Sequence, residues 1–206
     1  MNATRGTLVT IDGPNGVGKS TVATALTELL TDRDVPVHHT SEPSKHPIGA
    51  FIRSVVEGVS GYALACLVAA DRYDHLDAEI RPKLARGFTV VCDRYLASSL
   101  VLQQLDGVDP DFVLDLHAEA DLPDLAVIAT ADPEEITRRI AARGMHDRFD
   151  RDPLAPTRES DLYTGAADLL REMKIPVLVL DLGQLTPAQA AEAIACALAQ
   201  QTTSAA

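Results

Sequence analysis

The stretch Gly13-Pro14-Asn15-Gly16-Val17-Gly18-Lys19-Ser20 constrains this chain more than any other. Its spacing is G-x-x-x-x-G-K-[ST]. Ahead of it runs Thr7-Leu8-Val9-Thr10-Ile11, short, apolar and β-branched; behind it Val22, Leu26 and Leu29 or Leu30 recur at helical spacing. A glycine-rich loop between a buried strand and a helix start turns successive backbone N–H groups towards an anion. The helix N-terminus adds a partial positive charge. The pattern predicts a nucleotide phosphate site running through Thr21, in which Lys19 reaches the β and γ phosphates and the Ser20 hydroxyl holds Mg²⁺. GTPases, ATPases and small-molecule kinases share such a loop, so the reaction must be read elsewhere.

Composition narrows the field. Eighteen basic residues against thirty acidic ones leave a net charge of −12 over 206 residues. That surface repels a nucleic-acid backbone, so a polymer binder is not expected; a small anion fits only where arginines concentrate. The chain is 46% hydrophobic, enough for a core without disulfides, and no apolar run reaches membrane-spanning length. The N-terminus lacks a signal-peptide pattern. Cys66, Cys92 and Cys196 stand far apart in apolar stretches, which predicts buried free thiols and a cytoplasmic location. Adjacent His38 and His39 point to opposite faces of a strand, so no zinc site is expected.

Strand-like and helix-like stretches alternate. Strands are expected over 7–11, 35–40, 88–92, 125–129 and 177–180. Helices are expected over 20–30, 48–59, 62–86 with a kink at Pro82, 95–105, 133–143, 157–173 and 186–198. The strands are almost uniformly apolar rather than alternating, as in a parallel sheet covered on both faces. The fold class is α/β: one P-loop NTP hydrolase-like domain over 1–206, a doubly wound parallel five-stranded sheet flanked by helices. A short lid is expected at about 144–153 and a frayed tail at about 200–206.

The arginines point to the chemistry. When phosphate is transferred to another phosphate, the acceptor oxygen is already anionic and no general base is required. The task becomes holding two anions together, with arginines and a metal ion. Asp93-Arg94 ends the 88–92 strand, on the edge where open α/β sheets bind ligands: Asp93 is placed to act on Mg²⁺ and Arg94 to clamp the acceptor. Arg138, Arg139, Arg143, Arg148 and Arg151 cluster around Gly144, as in a basic lid closing over phosphates; a solvated helix face is the alternative for any one of them. Asp71-Arg72 lies in the long helix, where a surface pair is equally expected.

Four segments together resemble the thymidylate kinases. They are 11–21, containing the phosphate loop; Glu42-Pro43 with Pro47-Ile48-Gly49 and Ile52-Arg53; Ala69-Ala70-Asp71-Arg72 followed by Ile80-Arg81-Pro82; and Asp93-Arg94-Tyr95 running through Ser98-Ser99 to Gln103. The lid segment, Arg143 to Phe149, resembles the bacterial form. The resemblance implies phosphoryl transfer from ATP to dTMP, with Mg²⁺ as cofactor and a cytoplasmic homodimer. It makes Lys19, Arg94, Arg143 and Arg148 catalytic. It gives acceptor binding to Glu42, Pro43, Arg53, Val68, Arg72, Arg94, Ser99 and Gln103, and metal binding to Ser20 and Asp93. The chain departs from the family where Asn15 replaces an acidic residue, Val68 a phenylalanine, Ser41 an arginine and Leu102 a tyrosine. These changes gather on the acceptor side, so another pyrimidine-like nucleotide or nucleoside is the alternative substrate. A nucleotide-binding protein without transfer activity is the alternative of another class.

Overall fold

The computed structural model describes residues 5–144 and 154–204; nothing is described of residues 1–4, 145–153 and 205–206, or of the side chains of residues 143 and 202–204. The lid arginines Arg148 and Arg151 therefore lie outside the described residues.

Five strands, β1 (Leu8–Asp12), β2 (Val37–Ser41), β3 (Thr89–Asp93), β4 (Leu125–Thr130) and β5 (Val177–Asp181), form one sheet. Its order is β2-β3-β1-β4-β5, and every pair is parallel. The helices are α1 (Lys19–Asp32), α2 (Pro47–Val55), α3 (Gly61–His75), α4 (Arg81–Ala85), α5 (Leu96–Leu105), α6 (Pro110–Leu116), α7 (Pro133–Arg143), α8 (Ala155–Glu172) and α9 (Pro187–Ser204). This is the expected α/β architecture. Among the described residues no helix is long and apolar enough to cross a membrane.

The largely apolar strands β1, β3 and β4 follow from two cores. Leu8, Val90, Cys92, Ala126 and Ile128 face one core with α5 and α8. Their strand neighbours Val9, Val91, Leu125, Val127 and Ala129 face the other, with α1, α7 and α9. Successive residues serve opposite faces, so both must be apolar. Each fully buried valine or leucine contributes roughly 1.5–3 kcal/mol.

Local signals set several boundaries. Asp132 accepts the N–H of Glu134, Pro133 opens the first turn, and Gly144 caps α7 at φ 88°. Asp109 caps α6 in the same way by accepting the N–H of Asp111. The helix expected over 48–59 stops at Val55, short of Gly58. The kink expected at Pro82 takes the form of a π-helical segment, Leu76–Ile80, between α3 and α4: proline offers no N–H, and the widened turn absorbs the mismatch. Helix α9 continues to Ser204, into the stretch expected to fray. Of the three cysteines, which carry no disulfide, only Cys92 is buried; Cys66 and Cys196 are exposed. An apolar stretch wound into a helix still turns one side to water.

Candidate active site

Because β1 lies between β3 and β4, the crevice at the carboxyl ends of these strands is where a ligand enters an open parallel sheet. Chain 13–20 leaves β1 there and turns into α1. Gly13 passes so close to β4 that a Cβ would stand 2.4 Å from the Ala129 carbonyl oxygen. Gly18 adopts φ 114° at the start of α1, a conformation that favours glycine. Lys19 folds back over the loop, its Nζ donating to the carbonyls of Gly13 (2.9 Å) and Pro14 (2.8 Å). Burial, reinforced by the nearby Arg94 charge, lowers the Lys19 ammonium to about 7. The Ser20 hydroxyl donates to Asp93 Oδ2 at the end of β3. A cavity of about 530 Å³ opens over this loop, lined by Gly16 through Val22, Asp93, Arg94 and Arg139 among others.

Arg139 was one of the arginines expected in or near the lid. It sits on α7 and fastens the loop instead, donating to the Val17 carbonyl (2.8 Å) and to the Leu182 carbonyl beyond β5 (3.1 Å). Arg143 is the last residue of α7.

A second cavity, about 400 Å³, adjoins the first. It is lined by Glu42, Pro43, Arg53, Val68, Arg72, Arg94, Ser99 and Gln103, every residue expected to bind the acceptor. Ile52, Val56, Leu64 and Leu102 add aliphatic walls. Asp71 and Arg72 are each 1% exposed, so the surface-pair reading fails. They point to different partners: Asp71 accepts from Ser44 N and Oγ, and Arg72 donates through Nε (2.9 Å) and Nη2 (2.6 Å) to Glu42 Oε2. Burial acts to raise the Glu42 carboxyl, but the Arg72 charge and the His75 hydrogen bond outweigh it and hold it below its ordinary value. Arg72 Nη2 also reaches Ser99 (3.0 Å), and its guanidinium lies 4.3 Å from the Tyr95 ring centroid. Two buried atoms, Arg72 Nη1 and Gln103 Oε1, have no hydrogen-bond partner among the described residues. A polar ligand in this cavity would satisfy them.

Arg94 borders both cavities. Its backbone takes φ 73°, unusual outside glycine, and its N–H donates to the Ile11 carbonyl at 2.9 Å. Its side chain donates to Asn15 Oδ1. Asn15 therefore contacts the arginine of the second cavity even without the acidic charge common at this position. Three supports went unnoticed in the sequence. Asp12 Oδ1 accepts from Tyr95 N (2.8 Å) and Ser98 N (2.9 Å), fixing the start of α5. Glu159 of α8, 1% exposed, accepts the N–H of Asn15 (2.7 Å). Tyr163, fully buried, meets Ser98 Oγ at 3.1 Å. All three span more than sixty residues, and no local pattern announces them.

The family model for thymidylate kinase matches residues 11–181, which include both cavities' central residues. The chain belongs to the thymidylate kinase family. It is thus a nucleoside monophosphate kinase. This family member is 36% identical over 174 residues to a probable thymidylate kinase of Caldivirga maquilingensis, covering 82% of this chain and 83% of that one. It is 35% identical over 179 residues to a probable thymidylate kinase of Pyrococcus horikoshii, covering 83% and 87%. Its fold matches a solved thymidylate kinase from Candida albicans with a TM-score of 0.78 and 23% identity, over 96% of this chain and 93% of the other.

Proposed function

We propose that this family member transfers the γ-phosphoryl group of ATP to dTMP, giving ADP and dTDP. The observation that carries the reading is the sharing of Arg94 by two adjoining cavities, one over the phosphate loop and one lined by the acceptor residues. ATP lies with its phosphates on the loop amides and Lys19. The dTMP phosphate lies against Arg94, with Arg72, Ser99 and Gln103 turned to the nucleoside. A dTMP phosphate oxygen attacks the γ phosphorus, and the bond to the bridging oxygen breaks towards ADP. The attacking oxygen is already anionic, so the site works by charge and alignment. Arg143 and Arg148 complete the charge when the lid closes and water is excluded.

The residues present fit a magnesium ion. Ser20 Oγ and Asp93 Oδ2 meet, and Asp93 Oδ1 is a buried oxygen without a partner among the described residues. Ser20 and Asp93 would hold the ion, which when bound supplies positive charge at the transferred phosphate. The enzyme is cytoplasmic and a homodimer in this reading. Half-exposed Phe51 on α2 and Tyr62 on α3 support a face that a second copy covers; a particle of 22.0 kDa in solution would remove the dimer.

The test is ADP release with Mg-ATP against dTMP, dUMP, UMP, CMP, GMP, AMP and thymidine. Preference for dTMP is expected. Turnover of another acceptor with dTMP inert would overturn the reading and mark Val68 and Asn15 as substrate-changing; ATP binding with no turnover would leave a binding protein.

The Lys19 value gives a pH prediction. A lysine lowered to about 7 is mostly neutral at pH 8 in the free enzyme, and phosphate restores its charge. Binding of ATP should therefore take up close to one proton near pH 8, falling below about half a proton under pH 7. Calorimetric titration in buffers of different ionisation enthalpy measures this; a proton count near zero at pH 8 would show that Lys19 is already charged.

A further inference from the structure

The extended chain from β2 towards α2 turns Thr40, Glu42 and Ser44, alternate residues, to the same side. Helix α3 meets them with His75, Arg72 and Asp71. Of the three residues from α3, His75 is the one that does not line the second cavity. It is fully buried, with Nδ1 3.3 Å from Glu42 Oε1 and Nε2 2.8 Å from Thr40 Oγ1. An ionised carboxylate only accepts, so Nδ1 carries the proton and donates to Glu42, while Nε2 lies against the Thr40 hydroxyl, which the Glu79 carboxylate also engages. The neighbouring Glu79 carboxylate, 3.7 Å from Nε2, has its oxygens on His38 (2.7 Å) and His46 (2.9 Å), and His46 Nδ1 lies 3.2 Å from Asp74. Cys92 Sγ also lies close to Glu42 and His75. Burial pushes its thiol well up, and Sγ donates to the Arg94 carbonyl (3.2 Å).

The two oxygens of Glu42 are thus divided. Arg72 holds Oε2 with Nε and Nη2, while His75 holds Oε1. Arginine and carboxylate prefer to meet as a two-pronged pair using both oxygens. The division holds Glu42 on the Nε–Nη2 edge of Arg72 and leaves Nη1, on the other side of the guanidinium, buried without a partner among the described residues. We propose that His75 is a positioning residue of the acceptor site: by occupying Glu42 Oε1 it keeps Arg72 Nη1 available to the bound acceptor. Without that bond the Glu42 carboxylate is free to swing round to the Nη1–Nη2 end of the guanidinium, and the donor meant for the nucleotide is spent inside the protein.

The test compares two substitutions. Asparagine places an amide N–H near the position of Nδ1 and restores the bond to Glu42; glutamine reaches the position of Nε2 and serves Thr40 only. His75→Gln should raise KM for dTMP about tenfold with KM for ATP unchanged, while His75→Asn stays within about twofold of the wild type for both. Equal dTMP KM values for the two variants, or an ATP KM that rises together with that of dTMP, would overturn the proposal. A measurement on the unaltered enzyme covers the case in which either variant fails to fold: the nitrogen-15 shifts of the His75 ring should show the proton on Nδ1, and a ring protonated on Nε2 alone would overturn it. The inference rests on reading the second cavity as the dTMP site. Wild-type turnover of dTMP tests that reading, whereas the tautomer tests His75 whatever the acceptor proves to be.

Discussion

Arg94→Ala is expected to lower kcat/KM for dTMP by about 10³- to 10⁵-fold, the range found for arginines that stabilise a transferred phosphoryl group. The size follows from its position. Arg94 borders both the cavity over the phosphate loop and the second cavity, so in the proposed reaction its charge faces both anions at once. A residue touching the acceptor alone would change KM. One that also faces the transferred group should lower kcat as well, because its interaction grows as charge shifts between the two phosphates. Arg94→Lys tests the fork separately from the charge: a lysine keeps the charge but not the planar donor set, and should recover only part of the loss. Steady-state kinetics with both substrates varied decides the matter. A kcat within threefold of the wild type in Arg94→Ala would remove this residue from the transferring step. The ATP dissociation constant checks that the loop survives, since Arg94 also bonds Asn15.

The second large effect is on stability. Glu42→Ala should destabilise the fold by about 3–5 kcal/mol, because Arg72 would be left as a buried charge without its partner. Arg72 is 1% exposed and Glu42 is 7% exposed, so water cannot replace the lost carboxylate without opening the wall of the acceptor cavity. A domain of this kind is stable by only about 5–15 kcal/mol, so the loss is a large share of the whole. Removing both charges together, as in Glu42→Gln with Arg72→Met, should cost less than Glu42→Ala alone. Urea unfolding of the three proteins measures the differences. A loss below about 1 kcal/mol for Glu42→Ala would mean that Arg72 has another way to satisfy its charge.

The parts of this enzyme that depend on neighbours in sequence were legible before the structure. The phosphate loop announces itself because its glycines, lysine and serine act through one short segment of backbone. Most of the strands announce themselves because a sheet covered on both faces needs apolar residues on both. Position on the strand edge likewise placed Asp93 and Arg94 at the crevice. What depends on distant partners was hidden. Nothing near Asp71 or Arg72 shows that both are buried, since Ser44 and Glu42 lie roughly thirty residues away and on a different element. The alternation of Thr40, Glu42 and Ser44 is a strand pattern written in polar residues, which a search for apolar periodicity passes over. Helix α6 was missed although Asp109-Pro110 is a recognisable helix start, because seven residues are too few for an apolar stripe to show. The cysteines misled for the opposite reason: apolar neighbours in sequence were read as burial in space.

Lys19 lies against the carbonyls of Gly13 and Pro14, two groups of its own loop. A free lysine side chain samples many rotamers, and fixing it costs up to about 2 kcal/mol. Here those two backbone contacts order the side chain as the loop folds. Nucleotide binding then exchanges one set of oxygens for another around a nitrogen that is already in place. The loop resembles a mould that keeps its shape between castings, and its affinity for triphosphate need not bear the cost of building the site anew in each turnover.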